Sequence, residues 1–159
     1  MKSRIKKISI AIILILFIAI QFFDVMPNYV AETSKNAIEK HYSVPQNVQQ
    51  ILKTSCYDCH SNNTVYPWYS KVQPVKWWLA NHINDGKRHL NFDKFGTYPK
   101  DKKLQKLDEV AETVNADEMP LSSYTVIHTQ AKLSAEQKSL IQSWVKSMKG
   151  QINKEILVR

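Results

Sequence analysis

The chain opens on an apolar block and continues as a series of helical stripes. Residues 8–23 are apolar except for Ser9 and Gln21, behind a tip carrying Lys2, Arg4, Lys6 and Lys7. A charged tip before an apolar core is the pattern of a signal peptide or signal anchor. As a helix the run spans roughly 24 Å, a little short of a typical hydrocarbon core. Val25 and Met26 extend it slightly, and the lysines can reach past the apolar region. Its end, Ala19-Ile20-Gln21-Phe22-Phe23, offers no small-residue cleavage site, and no cysteine follows at which a lipid could be attached. Residues 1–23 are therefore expected to form an uncleaved transmembrane helix, with the basic tip in the cytoplasm and the remainder outside.

Residues 24–42 contain Pro27 and a polar stretch at 32–36, with few apolar positions, and read as a linker. A folded domain is expected over 43–150. Ser43 suits an N-cap with Pro45 in the first turn, and Val48, Ile51 and Leu52 share one face. Pro74 opens a second helix with Val75, Trp78, Leu79, His82 and Ile83 on a common face, and Gly86 is placed just past its end. Thr97 and Pro99 introduce a third, marked by Leu104, Leu107, Val110 and Val114, which breaks at 115–120. Ser134-Ala135-Glu136-Gln137 is a capping box for a fourth. Its stripe is Leu140, Ile141, Trp144, Val145 and Met148, with Gly150 expected to stop it and 151–159 left as a tail. No stretch alternates like a strand, and three glycines leave few sites for glycine-dependent hairpins. The expected fold is all-α, about four helices behind a transmembrane helix.

The formal charge of +8 shrinks once the basic tip is set aside. The remainder carries about +4, which is no nucleic-acid footprint but suits an anionic membrane surface or an acidic redox partner.

The chemistry is concentrated in Cys56-Tyr57-Asp58-Cys59-His60, which holds both cysteines of the chain. C-x-x-C-H is the pattern for covalent attachment of haem c. The thiols form thioethers to the haem vinyl groups and the histidine reaches the iron. A zinc site would usually need a second close pair of ligands, and no such pair is present. A thioredoxin-type motif needs a βαβ context, whereas these flanks look helical. A covalent haem would also add apolar contact area to a small core. The second axial position on the iron has one leading candidate, Met119, in the break between the third and fourth helices. His82 is the alternative distal ligand, and an open site is a third possibility. His89 and His128 could hydrogen-bond a propionate. The aromatic cluster Tyr66-Pro67-Trp68-Tyr69 could cover a porphyrin edge.

Several segments taken together resemble a known group. The C-x-x-C-H element with Ser61 and Asn62, Tyr66-Pro67-Trp68-Tyr69, the run 86–92, Glu118-Met119-Pro120, Tyr124, His128 and Leu133-Ser134 are similar to the small haem-binding domain family of exported bacterial proteins. The order of elements also resembles class I cytochromes c. The resemblance covers roughly residues 44–149 and implies one covalent haem c and its iron, with His60 proximal and Met119 distal. Class I cytochromes use a proline carbonyl to hold the proximal histidine. Here Pro67 or Pro74 is the expected source.

The functional expectation is a monohaem c-type cytochrome, anchored in the inner membrane with its domain in the periplasm. It would pass single electrons between redox partner proteins outside the cytoplasm, as a carrier rather than an enzyme. One alternative is a haem-based peroxidase-like enzyme or gas or redox sensor with a labile distal ligand. Another is an exported helical module with a redox-active disulfide between Cys56 and Cys59.

Overall fold

In the computed structural model, which describes residues 2–154, all regular structure is helical and no strand occurs among the described residues. The helices in order are α1 (Lys2–Ile20), α2 (Ile38–His41), α3 (Gln46–Ser55), α4 (Tyr57–His60), α5 (Val75–His89), α6 (Lys100–Asn115), α7 (Ser122–Thr125) and α8 (Ala135–Lys154). Short 3₁₀ turns at Trp68–Lys71, Phe92–Thr97 and Thr129–Ala131 link them. The all-α expectation holds, and α3, α5, α6 and α8 are the long helices of the domain.

α6 and α8 pack side by side and antiparallel. Lys138 pairs with Asp117 at 2.6 Å, Gln142 Nε2 donates to the Ala111 carbonyl at 2.6 Å, and Lys149 pairs with Asp108. As numbers rise along α8 they fall along α6. Val114 and Leu107 on one helix and Ile141, Trp144, Val145 and Met148 on the other join α3's Val48, Ile51 and Leu52 in a single core. The capping box forms as expected: Gln137 N–H donates to Ser134 Oγ at 3.1 Å and Ser134 N–H donates to Gln137 Oε1 at 2.9 Å.

Four helix limits differ from the sequence expectation, one of them the end of α5, which runs past Gly86 to His89. α3 and α6 start after Pro45 and Pro99, which occupy the capping positions, so Ser43 and Thr97 cap neither helix. Proline's fixed φ sets these starts without a side-chain cap. α8 does not stop at Gly150 but runs to Lys154 and buries Ile152. Glycine inside a helix costs about 1 kcal/mol, and burying an isoleucine returns about 1.5–3 kcal/mol, so the helix continues. Residues 151–154 of the expected tail are thus helical, and 155–159 lie outside the described residues.

The segment read as a linker belongs to the domain. Ala37 is 1 % exposed and Ile38 0 %, and Tyr42 joins the same core. α2 packs on the turn Phe92–Thr97, where Gly96 N–H donates to the Asn36 carbonyl at 2.9 Å. Asn28 also bonds Tyr66, Ser61, Thr64 and Lys87. Two apolar residues in a polar stretch were too sparse to register as a stripe. Ile38→Ala is expected to destabilise the domain by about 2–5 kcal/mol. Urea unfolding measures this, and an unchanged midpoint would mean that the segment is free.

α1 has 19 residues and stands exposed along its length. Its basic residues fill the first two turns, and it ends at Ile20, so its apolar part covers only about 20 Å. Among the described residues no helix is long and apolar enough to cross a membrane.

Candidate functional site

α3 delivers the chain directly into the C-x-x-C-H turn. Cys56 closes α3, its N–H donating to the Leu52 carbonyl at 2.9 Å. α4 is then one helical turn, with Cys59 N–H and His60 N–H both donating to the Cys56 carbonyl, at 3.2 and 2.9 Å. Spacings of three and four residues bring Cys56, Cys59 and His60 onto one side of that turn. Burial pushes the Cys56 thiol up to about 12 and the Cys59 thiol up to about 11. Both are free, half-buried and protonated at neutral pH.

α5 crosses this turn at Gly86. A Cβ at that position would lie 2.6 Å from the Cys59 carbonyl oxygen. The glycine is therefore inside the helix, which continues to His89, and not past its end as the sequence suggested. The close crossing brings the residue after α5 over the histidine. His60 Nδ1 and the Leu90 carbonyl are 2.9 Å apart, and since a carbonyl can only accept, Nδ1 carries the proton. That leaves Nε2 with its lone pair available. Burial lowers the His60 pKa, against the carbonyls of Leu90 and Gly86, so the ring is held neutral as metal ligation requires.

Neither proline expected to hold His60 does so. The Pro67 carbonyl accepts from Ser70, through both its N–H at 3.1 Å and its Oγ at 2.5 Å. The Pro74 carbonyl accepts from Trp78 N–H at 3.1 Å inside α5.

Two cavities of about 290 and 370 Å³ open on this arrangement. They share Cys56, His60, His89, Met119 and Pro120 among their walls. The first also touches Cys59 and His82, so Cys56, Cys59, His60, Met119 and His82 all meet at one cavity. The second runs into apolar surface at Phe92, Val110, Val114 and Leu133, with Lys106 at its side, paired to Glu109 at 2.5 Å.

Met119 reaches this cavity because of how α6 ends. Asp117 takes a left-handed φ of 59°, and Glu118 N–H and Met119 N–H both return to the Thr113 carbonyl at 2.9 and 3.1 Å. This reversal of Schellman type turns the chain back across the helix end. His82 stays on α5, its Nδ1–H donating to the Trp78 carbonyl at 3.0 Å, so its Nε2 also has no partner in the helix. His89 ends α5 and lines both cavities.

His128 is engaged elsewhere. Its Nε2 and the Tyr69 hydroxyl share a hydrogen bond of 2.6 Å, and its ring stacks on Tyr124 with centroids 4.3 Å apart. Tyr124 donates to Asp58 Oδ2 at 2.7 Å, and Asp58 Oδ1 accepts from Val65 N–H at 2.9 Å. Burial, followed by the bond to Asp58, pushes the Tyr124 hydroxyl well up, so it remains a donor. The inner Asp of the motif thus ties it to α7. Trp68 and Tyr69 line a third cavity of about 380 Å³ with Trp78, and its wall includes Cys59 and His82.

The sequence reading missed the Leu90 carbonyl, the crossing at Gly86, the Asp58–Tyr124 tie and Lys106. Only Gly86 left a signal, as a glycine inside an otherwise helical pattern, which often marks close backbone approach.

A cavity of mainly apolar wall, with two protonated thiols at its edge and a neutral imidazole beside them, has the lining that a porphyrin needs. The family model described as a haem-binding domain matches residues 15–147. Comparison with curated proteins and with solved structures gives no match.

Proposed function

Since the chain belongs to the haem-binding domain family, we propose that it is a membrane-attached monohaem c-type cytochrome domain that passes single electrons outside the cytoplasm. Cys56 and Cys59 would hold the group through thioethers, His60 would ligate its iron through Nε2, and Met119 would take the opposite side. When bound, haem c supplies a one-electron Fe(III)/Fe(II) couple, whose potential a thioether ligand raises. The observation that carries this reading is the His60–Leu90 hydrogen bond of 2.9 Å, which leaves Nε2 free on a cavity that Met119 also lines.

The rest of the site serves position and exclusion of water. The Leu90 carbonyl fixes the tautomer and orientation of the imidazole. Asp58 and Tyr124 hold the motif against α7. Phe92, Val110, Val114 and Leu133 keep the second cavity apolar. A carrier of this kind requires no general acid or base.

α1 would insert its apolar run into the inner membrane, with the basic tip on the cytoplasmic side and the domain in the periplasm. A bilayer thins locally around a short apolar segment at modest cost. A remainder of about +4 suits an acidic redox partner there.

One observation favours a second reading. His82 lines the same cavity, and its Nε2 has no partner among the described residues. If Met119 is displaced, the site becomes that of a peroxidase-like enzyme or a gas or redox sensor, or takes His82 as distal ligand. A redox-active disulfide fits less well, because burial holds both thiols far from the thiolate form that exchange requires.

Spectra of the exported full chain test these readings. Low-spin haem with a His/Met charge-transfer band supports the carrier, whereas high-spin haem that takes up CO readily supports the sensor or enzyme. Met119→Ala is expected to keep the covalent haem, abolish that band and lower the potential. An unchanged spectrum would transfer the distal role to His82.

A further inference from the structure

The join between α1 and the domain is built as a clamp. Gln21 Oε1 accepts from Gln73 N–H at 2.9 Å, and Gln21 Nε2 donates to the Gln73 carbonyl at 3.3 Å. Gln73 Nε2 donates to the Phe23 carbonyl at 2.7 Å, and its Oε1 accepts from Trp77 N–H at 3.2 Å. Asp24 and Lys76 add an ion pair. Gln73 is buried, and a buried amide is tolerated only when hydrogen-bonded. A swinging tether would need none of these bonds. They fix the end of α1 to the start of α5.

Large apolar side chains stand in solvent around this clamp. Phe22 is 83 % exposed and Trp68 80 %, and Phe23, Val72 and Trp78 are exposed as well. The chain itself places them there. Phe22 and Phe23 directly follow Gln21, the turn Trp68–Lys71 and Val72 lead into Gln73, and Trp78 lies in the first turn of α5. Lys71 is exposed among them, while Lys76 is held by Asp24.

We infer that this collar beds the domain on an anionic lipid surface and holds it at a fixed attitude to α1. The inference rests on the proposed membrane attachment of α1. Three features on this face select a bilayer over other occupants: it is continuous with an apolar helix, it presents aromatic rings, and it carries the exposed Lys71. Trp rings favour the membrane–water interface, and each lysine near an anionic leaflet adds about 1 kcal/mol. The consequence for the site is direct. α5 begins at the collar, and His82 follows Val75 by on the order of 10 Å of helix rise. The cavity walls at His82 and Gly86 are therefore held close to the lipid surface, within reach of a membrane-embedded electron partner.

The test uses the full haem-loaded chain in vesicles of phosphatidylcholine and phosphatidylglycerol, irradiated with a membrane-confined carbene label and mapped by peptide. Label is expected in α1 and across 66–78. In a Trp68→Ser/Trp78→Ser variant it should fall several-fold across 66–78 and persist in α1. Label in α1 but not in 66–78 of the unmodified chain overturns the collar and leaves the attachment standing. Label in neither overturns both. If 66–78 becomes labelled only after the haem is omitted, these rings cover the porphyrin edge, and the collar is again overturned.

Discussion

Changing Cys56 and Cys59 together to alanine is expected to leave an exported chain with no covalent haem. Intact mass and a pyridine haemochrome assay of protein made with a cytochrome c maturation system read the result directly. The expectation follows from the uniqueness of the two thiols. The chain has two cysteines, both at the edge of the cavity that His60 and Met119 line. No other sulfur can take over attachment. Each single variant retains one thioether and should hold haem with lower yield and altered spectrum. Burial keeps both thiols protonated and unpaired in the folded chain, which protects them from disulfide exchange and leaves both available to the attachment system. Full covalent haem in the double variant would remove the basis of the proposed function. The clamp at Gln73 and the fold would be unaffected by that outcome.

The second large effect is a reversal of sign between two glycines on long helices. Gly150→Ala is expected to stabilise the domain by about 0.5–1 kcal/mol, because alanine is the better helix former and its Cβ would meet nothing within 4 Å. Gly86→Ala has the same helix preference and should nonetheless destabilise. Its Cβ would fall 2.6 Å from the Cys59 carbonyl oxygen, which is backbone and cannot rotate away. Separating α4 from α5 is an overpacking strain of about 1–3 kcal/mol, larger than the propensity gain. The separation also pulls the Leu90 carbonyl from His60 Nδ1. Gly86→Ala should therefore lower both the urea midpoint and the yield of six-coordinate low-spin haem, while Gly150→Ala raises the first and leaves the second unchanged. A Gly86→Ala protein with higher stability and a native spectrum would show that the crossing does not set the histidine.

Much of the site was legible in the residues because it is local. The C-x-x-C-H spacing needs only one helical turn to bring its three side chains together, and α4 is that turn. Met119 stood out as a side chain in a break between two stripes, and the structure brings it to the same cavity as His60. The helices α3, α5, α6 and α8 were visible for the same reason, since a period of 3.6 is written in consecutive positions. Their ends were less visible, because a proline or glycine is read in isolation. Gly150 looked like a stop, but Ile152, two residues later, is buried in the core.

The sequence by itself determined that this chain is helical, carries an apolar block behind a basic tip, and concentrates its chemistry in two thiols and an adjacent imidazole. These are properties of short windows, and short windows are fixed by side-chain period and spacing. Only the tertiary structure decided that Leu90 and neither proline orients His60, that Gly86 is a contact point, and that Ala37 and Ile38 belong to the core. Each of these is a pairing between segments far apart in the chain. A carbonyl is present at every residue, and a glycine or an isoleucine looks the same whether or not another segment lies against it, so the choice is made only when the helices pack.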